Sequence, residues 1–272
     1  MGTALNSGRS IFLYGPTGTG KTTIAAKLGG VFAQDRVWIP HAVEVDGQII
    51  GVYDPLVHKA VHEPVPADFD RRWVLCERPL VLVGGELTIE MLDLQFDSVT
   101  KFYVGPLQMK ANNGMLIVDD FGRQRIKPDQ LLNRWVVPLD RKVDYLSIAG
   151  GRKIEIPFDI FVVFATNLNP SELVEAAFLR RIQTKIKIDP VSAPQFHEIF
   201  RRVCKEFDLE YDEALVNEVI EFINARAREP LRPCFPRDLA NQIVWASRYQ
   251  NQAARLNKGT ISAALSAYFV SD

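Results

Sequence analysis

Short apolar runs alternate with amphipathic helical patterns from residue 10 to about residue 190, and the pattern then turns purely helical. The runs at 10–14, 79–83, 115–119, 161–165 and 184–188 are rich in Val, Ile, Leu or Phe. Their near-continuous apolarity is what a strand covered on both faces requires. Strands separated by helical segments predict an α/β fold, an αβα sandwich around a mostly parallel five-stranded sheet. Two stretches depart from this rhythm. Residues 38–53 read as strand, Asp46-Gly47 turn, strand, a β-hairpin inserted between the first helix and the second core strand. Residues 143–156 read as another hairpin, turning at Gly150-Gly151.

Beyond Pro190, Phe196, Ile199, Phe200, Val203, Cys204 and Phe207 follow the i, i+3, i+4, i+7 spacing of one helix face. Leu215, Val219, Phe222 and Ile223 repeat it. A third helix starts near Pro236, a residue suited to a first helical turn, with Leu239, Ile243 and Ala246 inward. Thr260 is placed to cap a fourth carrying Ile261, Leu265 and Phe269. The predicted organisation is an α/β domain with hairpin insertions over residues 1–191 and an all-α four-helix domain over 192–272.

Composition changes this picture little. The 47% apolar and 24% charged residues are ordinary for a globular protein with a sizeable core. A formal net charge of −1 gives no global electrostatic case for nucleic acid or an anionic membrane as the main partner. Cys76, Cys204 and Cys234 are odd in number and far apart, so neither a disulfide framework nor a zinc site is suggested. With no membrane-spanning run and no signal pattern, the expectation is a cytoplasmic protein.

Candidate chemistry lies at the end of the first strand. Gly15-Pro16-Thr17-Gly18-Thr19-Gly20-Lys21-Thr22 fits G-x-x-x-x-G-K-[ST], the phosphate-binding P-loop, and Thr23 continues it into a helix with Ile24, Leu28 and Val31 on one face. The glycines let backbone N–H groups converge on phosphate oxygens. Lys21 sets a point charge on the β- and γ-phosphates, the Thr22 hydroxyl ligates Mg²⁺, and the helix directs its positive end at the phosphates. The pattern arises by chance in a chain of this length on the order of one time in a hundred. ATP with Mg²⁺ is the expected ligand. Residues 115–118 then lead into Asp119-Asp120, an apolar strand ending in two carboxylates. In P-loop enzymes a strand beside the loop presents an Asp to Mg²⁺, and a following acid can polarise the attacking water; Asp119 takes the first role and Asp120 the second.

The ordered set of P-loop, acidic strand end, Thr166-Asn167 closing the strand at 161, Phe178-Leu179-Arg180-Arg181, and Pro236-Arg237 opening a helix in an all-α appendage resembles the AAA+ ATPase family over nearly the whole chain. The hairpin before residue 161 resembles the pre-sensor-1 hairpin of one AAA+ superclade. Gly105-Pro106-Leu107 is similar to MoxR-type ATPases, and residues 86–95 lie where that branch carries its helix-2 insert. The resemblance implies roles: Asn167 as sensor 1, Arg180 and Arg181 as the arginine finger towards a neighbouring subunit, Arg237 as sensor 2. It also implies a ring homo-oligomer, a hexamer, that hydrolyses ATP to remodel an unidentified protein partner. The family usually has Asp-Glu where this chain has Asp119-Asp120, and the shorter Asp120 puts fast hydrolysis in doubt, not binding. The alternatives are an ATP-switched assembly or scaffold module with little hydrolysis, and an enhancer-binding type of transcription regulator. Against the last, its Gly-Ala-Phe-Thr-Gly-Ala loop is absent.

Three weaker signals get plain readings. Tyr103-Val104-Gly105 resembles a substrate-gripping loop of some unfoldases and is read as a strand or turn packing on the core. His58 and His62 beside Glu63 are a weak metal signal, read as a surface turn. Arg71-Arg72-Trp73 is read as surface; with no helix-turn-helix evident, nucleic acid is not an expected partner.

Overall fold

The computed structural model describes residues 10–31, 35–63, 68–148, 150–173 and 175–269. The chain divides into two compact units, residues 1–15 with 21–187, and residues 16–20 with 188–272. The first unit begins with β1 (Ile11–Tyr14), α1 (Lys21–Gly30), β2 (Arg36–Pro40), β3 (Ala42–Val45), β4 (Gln48–Gly51), β5 (Trp73–Glu77) and β6 (Leu80–Val83). It continues through β7 (Gln95–Phe96), β8 (Tyr103–Val104), α2 (Leu107–Lys110), β9 (Met115–Val118), α3 (Pro128–Arg141), β10 (Val143–Ser147) and β11 (Lys153–Pro157). It ends with β12 (Phe161–Thr166), α4 (Pro170–Leu173), α5 (Ala176–Leu179) and β13 (Thr184–Lys187).

Five strands form an all-parallel sheet in the order β13-β1-β12-β9-β6, the five predicted from apolar runs. Alternate residues point to opposite faces. Phe12, Leu116, Val118, Val162 and Phe164 meet Leu131, Leu132 and Trp135 of α3 on one side. Ile11, Leu13, Ile117, Val163 and Ala165 meet Ala25 and Leu28 of α1 on the other. Phe12, Phe121 and Phe164 pack ring against ring at centroid separations of 5.1–5.8 Å. Uniform burial holds for the inner strands only. At the edges, Leu80 and Leu82 of β6 are exposed between buried Val81 and Val83, and β13 alternates between half-buried and exposed. An edge strand has a neighbour on one side only, so apolarity alone overstates its burial.

The inserted strands differ from the expected single hairpin. The hairpin is β3–β4, turning at Asp46 and Gly47, whose φ values of 52° and 75° fit the doubly left-handed turn that matches strand twist. Trp38 belongs instead to β2, which pairs antiparallel with β5, Trp38 opposite Leu75. Tyr103, on β8 between β4 and β7, is buried in the small core of this insert, as the plain reading has it. The second hairpin, β10–β11, forms with Gly150 and Gly151 in its turn, both at positive φ.

The second unit carries α6 (Ala193–Glu206), α7 (Glu213–Phe222), α8 (Phe235–Tyr249) and α9 (Lys258–Tyr268) around a shared apolar core. Asp212 caps α7, accepting from the N–H groups of Ala214 and Leu215 at 2.8 and 3.2 Å. Two details depart from expectation. The cap of α9 is Asn257, which accepts from Thr260 N–H at 3.0 Å while the Thr260 hydroxyl accepts from Asn257 N–H, so Thr260 is the inner half of a capping box. In α8 the inward position after Ile243 is Ser247, and Ala246 faces solvent. No helix among the described residues is long and apolar enough to cross a membrane.

Candidate functional site

At the C-terminal ends of β1, β9 and β12 the chain must leave the sheet, and three strand ends gather their polar residues there. β1 runs into Gly15, Gly18 and Gly20 at φ 142°, 77° and 85°, a path that side chains with a Cβ rarely follow. Lys21 and Thr22 then open α1, with Thr23 exposed on its first turn. Pro16 and Thr17 are exposed, and the Thr19 hydroxyl donates to Pro16 O at 2.9 Å within the loop. The Lys21 ammonium curls back to donate to Gly15 O at 2.9 Å. Burial pushes it below the usual lysine range, and the negative charges of Asp119 and Asp120 push the other way.

The Thr22 hydroxyl lies 2.8 and 3.0 Å from the two carboxylate oxygens of Asp119. Two hard oxygen donors side by side are the set from which Mg²⁺ is held when phosphates and water supply the rest. Asp120 follows at φ 47°, and its Oδ1 accepts from Asn167 Nδ2 at 3.0 Å. Asn167 stands just past β12, where the Thr166 hydroxyl donates to Phe121 O at 2.7 Å. Lys21, Thr22, Asp119, Asp120 and Asn167, spread over 147 positions of sequence from 21 to 167, thus form one cluster.

Arg181 is ion-paired with Asp140 at the end of α3, Nε to Oδ2 2.9 Å, and Arg180 is exposed beside it. Both line a polar cavity of about 470 Å³ with Ser10, Lys142 and Gln183. Arg237, on α8, pairs with Glu206 of α6 at 2.5 and 2.8 Å and lies over the Phe207 ring.

Two residues escaped the sequence reading. Gln124 bonds to the backbone of the turn that carries both carboxylates, at Asp119 O (2.6 Å) and Gly122 N–H (2.8 Å). A glutamine has no motif of its own; the only hint was Gly122 marking a turn. His58, read as a surface residue, is 1% exposed. Its Nδ1 accepts from Asp54 N–H at 2.9 Å and its Nε2 donates to Lys110 O at 2.8 Å, while Lys110 pairs with Asp54 at 2.8 Å. Both nitrogens are committed to this packing, since burial sets aside the pattern of two histidines four apart.

A family model described as a domain of unknown function (DUF8689) matches residues 192–267. No curated protein sequence matches the chain. Among solved structures, a point mutant of RuvB from Thermotoga maritima is similar with a TM-score of 0.55 at 16% identity, over 98% of this chain and 67% of that one. A T. maritima RuvB described as a Holliday junction branch migration motor gives 0.54 at 16% identity, over 98% and 66%. NtrX from Brucella abortus gives 0.54 at 12% identity, over 96% of this chain and 51% of that one. The chain thus spans about two thirds of the RuvB chains and about half of NtrX. At these identities the likeness is one of fold, and the chain has a P-loop AAA+-like fold: an all-parallel five-stranded sheet flanked by helices, with C-terminal helices following.

Proposed function

We propose that the chain is an AAA+ ATPase module that binds ATP with Mg²⁺, hydrolyses it, and works as a ring homo-oligomer, a hexamer, to remodel a protein partner in the manner of MoxR-type ATPases. The observation that carries this reading is the convergence of Lys21, Thr22, Asp119, Asp120 and Asn167 at the strand ends. A cation for phosphate, two oxygen donors for Mg²⁺, and a carboxylate with an amide partner are the parts that phosphoryl transfer to water uses. Bound ATP and Mg²⁺ supply the reacting group and its charge neutralisation. The chain's own residues bind and orient: Gly15 to Thr23 cradle the phosphates, Asp119 and Thr22 hold the metal, Asp120 takes the proton from water, and Asn167 aligns it. Arg180 or Arg181 acts on the neighbouring subunit's γ-phosphate, and Arg237 acts as sensor 2. The RuvB likeness supports coupling of hydrolysis to motion; one B. abortus NtrX structure, TM-score 0.50, holds ADP.

The test is complementation. Arg180 and Arg181 changed together to Ala should leave ATP binding intact and suppress turnover, a finger being worth roughly 10³–10⁵ in rate in related enzymes. Lys21→Ala should be inactive through lost binding. Mixed, the two proteins should recover part of the activity, because some interfaces pair an intact P-loop with an intact finger. Turnover that is independent of concentration, with no recovery in the mixture, would overturn the ring. One observation favours a second reading, an ATP-switched scaffold: the second carboxylate is the shorter aspartate. Repeated turnover in excess ATP excludes it, and a single slow turnover supports it.

A further inference from the structure

The turn after β9 has a strained path. Asp120 sits at φ 47° and Gly122 at 102°, a left-handed path that Asp tolerates better than most side chains but that its surroundings must still hold. Most of the restraint is backbone. Asp119 N–H donates to Val83 O at 2.8 Å, Phe121 N–H to Ala165 O at 2.7 Å, and Arg123 N–H to Asp120 O at 2.9 Å. These bonds tie the turn to β6 and β12 but leave the Asp119 carbonyl and the Gly122 N–H. The Gln124 side chain takes both, donating through Nε2 to Asp119 O at 2.6 Å and accepting at Oε1 from Gly122 N–H at 2.8 Å. One planar amide therefore clamps the two ends of the segment whose middle is Asp120. Glutamate of the same shape has no donor, and lysine no acceptor.

We propose that Gln124 is a positioning residue that acts through Asp120: its amide holds the 119–122 turn so that the Asp120 carboxylate stands at one fixed point, met by the Asn167 amide from the other side. The inference rests on reading the cluster as an ATP-hydrolysing site. A carboxylate on a loosened turn still ionises but no longer meets the attacking water in line, and a misplacement of about 1 Å can cost roughly 10²-fold in rate. Lys21 and Thr22 lie on α1, outside this turn, and Asp119 N–H stays bonded to Val83 O without the clamp, so nucleotide binding depends on it far less than Asp120 does.

The full chain is tested as Gln124→Ala and Gln124→Glu, the second keeping the shape while setting an acceptor against the Asp119 carbonyl. Affinity for a fluorescent ATP analogue should stay within about twofold of the parent, the margin for uncoupled sites. Turnover at saturating ATP should fall roughly 10²-fold. In an Asp120→Asn background, Gln124→Ala should cost less than about threefold more, because a group acting through Asp120 has nothing left to act on. Multiplicative losses in the double variant would overturn the proposal, as would single variants that melt earlier yet turn over at the parental rate per folded molecule. A parent with no turnover at all would instead remove the functional reading, and this inference with it. An active parent with unaffected Gln124 variants removes this inference alone.

Discussion

Two polar clusters in the α/β unit are made of the same kinds of side chain and are finished differently. Between α3, β10 and α2, Asp144 is 2% exposed at its side chain and accepts from both terminal nitrogens of Arg134 at 2.5 and 3.0 Å. It also accepts from Gln108 Nε2 at 2.9 Å and Tyr145 N–H at 2.8 Å. Burial works against the Arg134 charge, yet bonding and attraction to Asp144 hold its pKa above the usual value. This cluster is closed, its carboxylate surrounded by donors from the chain itself. At the strand ends, Asp119 is half-buried and bonded to Thr22, and Asp120 is exposed and bonded to Asn167, with Lys21 buried and bonded to Gly15 O of the loop. The open cluster keeps the Asp120 carboxylate towards solvent, where a metal ion or water can take its oxygens. A buried charge fully paired inside the chain has no valence left for a ligand, and a charge exposed at a strand terminus keeps one.

The comparison can be broken at either end. The largest effect is expected from Asp120→Asn: turnover should drop roughly 10²–10⁴-fold, the range for a general base, with melting and analogue binding kept. Phosphate release in excess ATP measures it, and a parental rate would take Asp120 out of the chemistry. Asp119→Asn should differ by raising the Mg²⁺ needed for binding. Next, Asp144→Ala strands the Arg134 charge and should cost about 3–5 kcal/mol in urea unfolding, with ATP affinity of the folded fraction unchanged. A loss under about 1 kcal/mol, the worth of a surface pair, would mean that the cluster is not closed.

Lys21→Ala inverts that pattern. Binding of the ATP analogue should weaken by about 1.5–3 kcal/mol, the worth of a hydrogen bond to a charged group, while urea unfolding barely moves. Unchanged affinity would sink the P-loop assignment. The smallest effect concerns His58, a second closed group. Burial lowers its pKa below the ordinary 6.5, outweighing the opposing pulls of the Lys110 carbonyl and Asp54. The folded state thus binds the proton more weakly than the unfolded chain. Stability from this group is complete above pH 6.5 and is lost as pH falls through the lowered folded value, at no more than about 1.4 kcal/mol per pH unit. His58→Gln should remove that slope from unfolding curves taken across the range; an unchanged slope would place the titration elsewhere.

The residues of the open cluster were legible because their signals are local. Gly15 to Thr22 need their types at that spacing to turn a strand into a helix around an anion, and 115–118 must be apolar to lie between β6 and β12. The inner strands were readable for the same reason, as near-continuous apolar runs covered on both faces, and the helix faces by their period of 3.6. The closed clusters were not. Nothing near Asp144 in sequence announces Arg134 and Gln108 as its partners, and His58 was read as surface because Pro64 ends any helix that would carry it with His62.

Sequence by itself therefore determined the strand–loop–helix that would hold phosphate, the five core strands, the two carboxylates after 118, and the four helices near the end. Tertiary structure decided which neighbour each strand takes, so that 36–40 pairs with 73–77 rather than with the hairpin beside it. It decided which apolar strands lie at an edge, half-exposed, and which polar side chains are enclosed. It also bound Gln124 to the turn of Asp119 and Asp120. The physical reason is range. Backbone period and glycine conformation act over a few residues and are written in each segment, whereas burial and hydrogen-bond partnership depend on chain segments brought together only when the sheet forms.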